Sequence, residues 1–559
     1  MVERVFKFLN KDMNGLHEAA FVLGISAFFS QVLALARDRL FAGMFGTSET
    51  LDIYYASFRV PDLIYVFVAS LVASAILIPL VVEKMERGEK EEIRKFLNSI
   101  LTFFLLALVV VSIGSYFILP YVADIIVPGF SDESKELFVG LSRVLLLSPL
   151  FLGLSNLFGS VTQSLRRFTV YALTPIVYNI GIIVGILYFY GPYGIYGLGY
   201  GVILGALLHF LVQVPSVLKE GLLPFPTIRA DMKEVGRVIA LSLPRTLSLG
   251  MTHIVIIIFT AVASFFSVGS ITVFNFAYNL QSVPLAIIGV SYSVAAFPTL
   301  ARLFSNGDKT EFVRHIATAG RHIIFWSLPV LALFIVLRAQ IVRSILGTGA
   351  FDWTDTSLTA AALALFSFSV VAQGLTLLFI RGYYAAGNTR KPLIVNVVSA
   401  LASILFAYIL LYFFDARSAF RLFFEEVFRV EGFFGTKVLM LPLAFSLGSL
   451  LNLFLLWGAF KRDFRPYYVS IRKSVFKSLA GTLVIGFIAY GLLQFFDDIF
   501  NINTIVGIFS QGFFAGLGAL AVGAVFFELI RDEEFIDFRK SITARIFRVK
   551  PVLPGPEDM

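Results

Sequence analysis

The chain has 559 residues, of which 58% are hydrophobic and 15% charged, with a mean hydropathy of +0.85. Soluble domains average about 45–50% apolar and about 25% charged residues, so these figures exclude a soluble globular protein. The formal charge of +8 would point to nucleic acid in a soluble chain but reflects basic loops beside anionic lipid in a polytopic one; zero cysteines exclude disulfides, thiol catalysis and cysteine metal sites.

The apolar runs are long and continuous, which predicts helices and not the short alternating segments of a β-barrel. At about 20 apolar residues per crossing, fourteen spans are expected, near 18–43, 53–83, 97–127, 136–160, 169–191, 195–218, 238–267, 271–301, 316–344, 357–384, 392–414, 438–460, 475–496 and 504–530. The basic, amphipathic start MVERVFKFLNKDMNGLHEAAF leads into an apolar run too long for the core of a cleavable signal, so none is expected.

The first two spans carry the most demanding stretch of the chain. Between Ser30 and Pro61 stand Arg37, Asp38, Arg39, Asp52 and Arg59. A charge in hydrocarbon costs roughly 3 kcal/mol on insertion scales. These five must pair, reach an interface or line a polar cavity, and the expectation is a cavity for an anionic, lipid-linked substrate. Adjacent helical residues project about 100° apart, so Arg37 and Asp38 are not expected to face each other. Arg37 then needs a partner on another helix or a ligand phosphate; its planar fork suits a diphosphate. Snorkelling of Arg37 and Arg39 to an interface is the alternative. Asp52 begins span 2, where an ordinary N-cap role stands beside the cavity role. Arg59 precedes Pro61 by two residues, where a proline frees backbone groups and favours a bend.

Further along, Arg245 follows Pro244 in span 7 and either snorkels inward or faces the cavity from the second half. Asn279 and Gln281 in YNLQSVP are uncharged, so that half reads as less basic. The connection 415–437, DARSAFRLFFEEVFRVEGFFGTK, alternates aromatic and charged residues and reads either as an interfacial amphipathic helix or as a packed loop. The tail from Arg531 to Lys550 is basic with interleaved Phe and Ile, as expected on an inner leaflet, and residues 552–557 read as disordered. Frequent glycines, as in GVILGALLHF, suit close helix packing and sliding.

Lys and Arg are distributed unevenly. The N-terminus, the even-numbered connections and the C-terminal tail hold 33 of the 45, which predicts that both termini are cytoplasmic. An internal repeat supports a two-lobe plan. Phe58–Pro61 matches Gln281–Pro284 and Leu165–Phe168 matches Asn388–Lys391, both at an offset of 223, while Pro128–Phe130 matches Gly349–Phe351 at 221. The expected fold is an all-α polytopic membrane protein of about 14 transmembrane helices. Its two six-helix lobes share one orientation about an axis along the membrane normal, followed by a C-terminal helix pair. The corresponding segments are an N-terminal lobe 1–218, a cytoplasmic linker 219–237, and a C-terminal lobe 238–460 that includes the outer insert 415–437. Helices 13 and 14 occupy 461–530, and a basic tail 531–559.

Enzyme machinery is not apparent in the sequence. There is no GxxxxGK[ST] phosphate loop, and the five histidines show no metal-ligand spacing. The reading is a transporter without its own ATPase, with no cofactor beyond a coupling cation or the membrane potential.

The run ALARDRLFAGMFGTSETLDIYYASFRVPDL resembles the opening of the MurJ (MviN) family, lipid II flippases of the multidrug/oligosaccharidyl-lipid/polysaccharide exporter superfamily. The matching residues are Ser30, Ala36-Arg37-Asp38, Phe45-Gly46, Asp52, Phe58 and Pro61. Also similar are Pro128-Gly129-Phe130, Arg167-Phe168 with Pro175 and Asn179, Gln213-Val214-Pro215, Pro284 with Gly289, Pro298, and the run from Arg381 to Pro392. The resemblance implies a V-shaped fold of fourteen helices that moves undecaprenyl-diphosphate-linked disaccharide pentapeptide from the inner to the outer leaflet of the bacterial cytoplasmic membrane. It implies that Ser30, Arg37, Asp38 and Asp52 serve the substrate, with Arg59, Arg245 and Asn279 as further candidates and Arg143 as another compensating cation. Gln31, Tyr65, Val66, Ser70 and Asn279 stand where the family pattern carries charged residues. A flippase for another polyprenyl-linked oligosaccharide therefore stays open, as do, further off, an ion-coupled drug exporter and a transport-dead envelope scaffold. Expected partners are the lipid-linked substrate, the membrane and cell-wall synthesis proteins; no nucleic acid partner and a monomeric state are expected.

Overall fold

The computed structural model describes residues 16–69, 74–86, 90–165, 167–467, 469 and 471–546, and among these every regular element is helical. Twelve helices are long and apolar enough to cross a membrane among the described residues, beginning with Lys90–Ile126 and ending with Ile505–Leu529. They match expected spans three to fourteen one for one. The first expected span falls on the 30-residue helix Leu16–Phe45. The second falls on Glu49–Ser57, Arg59–Ile64, Tyr65–Ala69 and Ser74–Glu86. Ser70, the basic start and residues 552–557 lie outside the described residues.

The chain forms two compact units. The first comprises residues 1–277, 345–359 and 389–444, and the second 278–344, 360–388 and 445–559. The first unit thus takes in stretches that the sequence repeat assigns to the second lobe. Its core is an apolar seam in which Leu77, Leu97, Leu108, Leu157 and Val161 are fully buried. The second unit packs Phe325, Ile485, Ala489, Ala519 and Phe527 together. Burying such side chains does not by itself drive association in lipid, so close van der Waals contact must carry more of the work. The helices Phe168–Val184 and Ile195–Leu211 show how: Gly181 faces Gly205 and Gly185 faces Gly201, backbone against backbone, and a Cβ at any of the four would collide with the opposite chain.

Two places matched by the sequence repeat share a local geometry. Pro61 is followed by a π-helical turn at Tyr65–Ala69, and Pro284 by another at Leu285–Val290. A proline lacks the N–H that would continue the helical ladder, and the wider turn absorbs the mismatch.

The expected linker 219–237 is not a free strap. The N–H groups of Phe225, Thr227 and Asp231 donate to Asn98 Oδ1 (2.7 Å), Thr102 Oγ1 (2.8 Å) and Ser99 Oγ (2.9 Å) on the Lys90–Ile126 helix. Asp231 then caps the next helix by accepting from the N–H of Lys233 at 2.9 Å and of Glu234 at 3.3 Å. Within 415–437 the chain forms the helix Ser418–Phe428, ended by Arg429 at φ 57°, which settles the helix-or-loop alternative in favour of a helix.

The tail begins as a second-unit element, the helix Glu533–Ile546. Arg321 binds Glu533 (3.3 Å) and Glu534 (3.2 Å), Ser474 donates to Glu534 (3.0 Å), and Lys477 donates to the Arg531 carbonyl (2.7 Å). Asp532 caps this helix through the Phe535 N–H at 3.1 Å, and its other carboxyl oxygen is buried without a hydrogen-bond partner among the described residues.

Substituting Gly205 by leucine is expected to cost on the order of 1–3 kcal/mol or more through overpacking, read as a lowered thermal midpoint in detergent, whereas Gly191→Ala, with open space at its Cβ, leaves the midpoint unchanged. Burial pushes the Asp532 carboxyl up to about 6. The docked tail therefore binds a proton more tightly than the free chain does. That contribution to docking is complete below about pH 4 and is lost as pH rises through 6. Hydrogen exchange of the 533–546 amides, corrected for intrinsic rates, is expected to quicken from pH 5 to pH 7.5, and Asp532→Asn, which keeps a capping oxygen, is expected to flatten that dependence.

Candidate substrate site

Arg37 and Asp38 lie two turns before the end of the Leu16–Phe45 helix. Contrary to the expectation from their adjacency, they pair: Arg37 Nε and Nη2 donate to Asp38 Oδ1 at 3.0 and 2.7 Å. The 100° step between neighbouring Cβ atoms is spanned because the arginine stem is long enough to fold its fork back over the shorter acid. Arg37 also has the expected partner on another helix. Its Nη1 donates to Asn179 Oδ1 at 3.2 Å, and Asn179 Nδ2 is itself tied to the Pro175 carbonyl at 3.0 Å.

Exposure separates the roles in this trio. The Asp38 side chain is 3% exposed and that of Arg37 19%. The acid is therefore the more deeply buried member of the pair, and Arg37 the one that keeps some exposure. A guanidinium carries five N–H donors, and three are used here, so two remain for a ligand. Tyr54, Tyr55 and Tyr178 lie within electrostatic reach of it, and the Tyr55 hydroxyl is buried with no hydrogen-bond partner among the described residues. One cation, one buried counter-ion and aromatic hydroxyls suit an anionic oxygen better than a cation.

Asp52 is occupied elsewhere. Its carboxylate accepts from the N–H of Gly269 (2.7 Å) and from the N–H and hydroxyl of Thr272 (2.8 and 2.7 Å), and the residue is 4% exposed. It lies in the first turn of its own helix, whose N-cap is Ser48. What it caps is a different helix, Ser270–Pro284, where an acid meets the unpaired N–H groups and the positive end of the dipole. Arg59 is likewise held by protein: Nε donates to Thr260 Oγ1 at 2.8 Å and Nη2 to Asn275 Oδ1 at 2.9 Å.

The other candidates scatter. Ser30 and Gln31 are half-buried on the first helix. Arg39 donates to the Ile345 carbonyl at 3.0 Å, and Arg143 to the Tyr116 carbonyl at 3.1 Å while stacking 4.3 Å over that ring. Arg245 is half-exposed on Met232–Ala263 and meets no acceptor among the described residues. Asn279, half-buried in the second unit, gives its carbonyl to the Ser282 hydroxyl at 2.7 Å. Tyr65 accepts from Asn156 Nδ2 at 2.9 Å, and Val66 is buried.

Sequence reasoning passed over Asp62, half-buried and within electrostatic reach of Arg59. The signal was available: a carboxylate directly after Pro61, three residues beyond Arg59, in an otherwise apolar helix. The roles of Thr260 and Asn275 had no comparable signal, since polar residues of that kind recur in every span.

Twelve long apolar helices, with polar pairs buried among the first unit's helices, define a polytopic membrane protein. The chain belongs to the lipid II flippase MurJ family, whose model matches residues 41–510, a stretch that begins just after Arg37 and Asp38 and contains Asp52, Arg59, Arg245 and Asn279. A probable lipid II flippase MurJ of Buchnera aphidicola subsp. Schizaphis graminum is 26% identical over 502 residues, 87% of this chain and 93% of the relative. One from Thermotoga maritima is 29% identical over 390 residues, 69% and 77% of the two chains. The lipid II flippase MurJ of Burkholderia cenocepacia is 26% identical over 383 residues, 66% of this chain and 74% of the relative. Among solved structures, a lipid II flippase MurJ in an inward closed conformation superposes with a TM-score of 0.72 at 24% identity, covering 91% of this chain and 99% of the other. An inward-facing MATE family multidrug transporter of the MOP superfamily gives 0.62 at 16%, covering 81% and 100%.

Asp52→Ala leaves buried backbone donors unpaired and is expected to lower stability by about 1–3 kcal/mol, measured as a fall in thermal midpoint. Transport per folded molecule is then the discriminating readout: a substrate ligand would lose it in proportion to occupancy, a capping acid chiefly through the loss of folded protein.

Proposed function

We propose that this protein moves the peptidoglycan precursor lipid II, an undecaprenyl-diphosphate-linked disaccharide pentapeptide, from the inner to the outer leaflet by alternating access. The observation that carries the reading is Arg37, held by the buried Asp38 and by Asn179, with three of its five N–H donors used and its side chain 19% exposed. Family membership supplies the cargo class, and the guanidinium supplies a diphosphate contact that costs little to organise, because the side chain is already oriented.

In this proposal both termini are cytoplasmic, as the 33 basic residues on that side imply, and fourteen spans form two lobes. The diphosphate engages Arg37 while the prenyl tail stays in lipid, and rocking of the lobes exposes the headgroup outside. Membrane potential or a coupled cation supplies the drive; one charge moved through 100 mV is worth about 2.3 kcal/mol. Asp52 stays on the start of the Ser270–Pro284 helix in this scheme, and Arg245 and Asn279 act as later contacts. The protein works as a monomer beside the cell-wall synthesis proteins.

A second reading, transport of another polyprenyl-linked oligosaccharide, is favoured by the uncharged Gln31, Tyr65, Val66 and Asn279. Rescue of a bacterium depleted of its lipid II flippase separates the two: growth with normal cell shape supports lipid II, and failure at normal membrane abundance supports another glycan. Within the rescued strain or in vesicles, Arg37→Ala is expected to slow flipping at least about tenfold, the loss of one charge-assisted contact, with Arg37→Lys intermediate. Flipping at the parental rate in Arg37→Ala would remove the diphosphate role.

A further inference from the structure

The second unit contains a cavity of about 130 Å³ between the helices Lys309–Val336, Trp353–Ala385 and Thr436–Asp463, distant in sequence from the polar site and without a part in the transport scheme above. Its walls are apolar, formed among others by Gly320, Phe379, Phe454 and Trp457, and Val469 and Ile471 from the following connection close one side. Gly320 contributes to the hollow: a Cβ there would meet only Leu378 and Leu375 carbons at 3.7 and 3.8 Å, leaving space beyond. Phe454 and Trp457 are 58% and 38% exposed, so the pocket opens on the lipid-facing surface and not into the core.

One edge of the pocket is strongly cationic. Lys461 lies 5.8 Å over the Trp457 ring, and Arg462 follows it. Arg465 lies in the turn Arg465–Tyr467 that leads to Val469, and Arg472 and Lys473 come directly after Ile471. All five are exposed; Arg462 is paired with Asp463 at 3.9 Å, which also accepts from the Tyr383 hydroxyl at 2.9 Å. An apolar slot open to the bilayer with cations at one end has the amphipathic order of one particular ligand, a lipid with a negative headgroup. A neutral lipid would fill the slot and leave Arg465, Arg472 and Lys473 without an anion. A soluble anion would answer the cations and leave the slot empty.

We propose that this pocket binds one acyl chain of an anionic glycerophospholipid of the surrounding leaflet, with its phosphate held by Arg465, Arg472 and Lys473. Bound lipid fills the seam between the 309–336 and 436–463 helices and ties Val469 and Ile471 to them. The site thus makes the second unit responsive to the anionic content of the membrane.

Trp457 permits a direct test, because the chain has only three tryptophans. The full-length Trp326→Phe/Trp353→Phe variant, leaving Trp457 alone, is reconstituted in phosphatidylcholine vesicles. Brominated phosphatidylglycerol or brominated phosphatidylcholine is then titrated in and quenching recorded. Half-quenching is expected at an on-the-order-of tenfold lower mole fraction of the anionic lipid, the scale set by a few basic residues at an anionic surface. Two variants divide the contributions. Arg465→Gln/Arg472→Gln/Lys473→Gln is expected to bring the two curves together. Gly320→Leu, in the same single-tryptophan background, is expected to shift both to higher mole fraction. Each variant is accepted only with a monodisperse elution profile; Gly320→Ala serves if the leucine variant does not fold. Coincident curves for the two brominated lipids in the parent would overturn the proposal, leaving only ordinary bulk lipid around Trp457, as would selectivity unaltered by the triple substitution.

Discussion

The carboxylate of Asp52 at the start of the Ser270–Pro284 helix is the contact on which the first unit depends most. A helix start in a membrane protein exposes N–H groups that hydrocarbon cannot satisfy, and each left alone costs several kcal/mol. Asp52 answers two of them and a hydroxyl at once. Similar contacts gather around it: Gly129 N–H to Ser264 Oγ, Ala350 N–H to the Gly43 carbonyl, and the Thr47 hydroxyl to Asp355. Together they bring residues 43–52, 129, 264–272 and 348–355 to one place. Segments hundreds of residues apart thereby become one compact unit, which no apolar pattern in the sequence would have joined.

The same requirement sorts the arginines. In hydrocarbon a guanidinium must find acceptors, and most here find them in the protein: Arg39 at a helix-end carbonyl, Arg59 at Thr260 and Asn275, Arg143 at a carbonyl and a ring. In each of these the guanidinium is held by protein acceptors or a ring. Arg37 differs because its counter-ion is buried while it is not fully covered itself. Desolvation costs most for an isolated buried charge, so sinking Asp38 beneath Arg37 keeps the cation oriented while two of its N–H donors stay unused by these partners.

Packing adds a second layer of economy. Where helices must cross closely, as at Gly181 and Gly205, the absence of a Cβ lets backbones touch. Where the ladder is interrupted by Pro61 or Pro284, a widened turn follows and the helix continues. Such turns store little energy and offer places to bend, as a carrier that changes access requires.

Much of this was legible in the residues. Hydropathy alone located the twelve long apolar helices, because lipid forces each span to satisfy its own backbone. The charged stretch from Ser30 to Pro61 and its motif named the family, and the Pro61–Pro284 match marked two places that share a local geometry, although not that it is a π-turn. Three matters were decided only by the tertiary structure. Adjacency in sequence argued against an Arg37–Asp38 pair, yet side-chain length made one. Asp52 read as a cap of its own helix or a cavity residue, and in the structure it caps a helix more than two hundred residues away. Arg59 read as a cavity cation and is spent on Thr260 and Asn275. The sequence by itself determined which segments cross the membrane, since burial in hydrocarbon is a property of each segment. Which protein groups each charge meets was decided by tertiary structure alone, since its partners are brought by other helices distant in sequence.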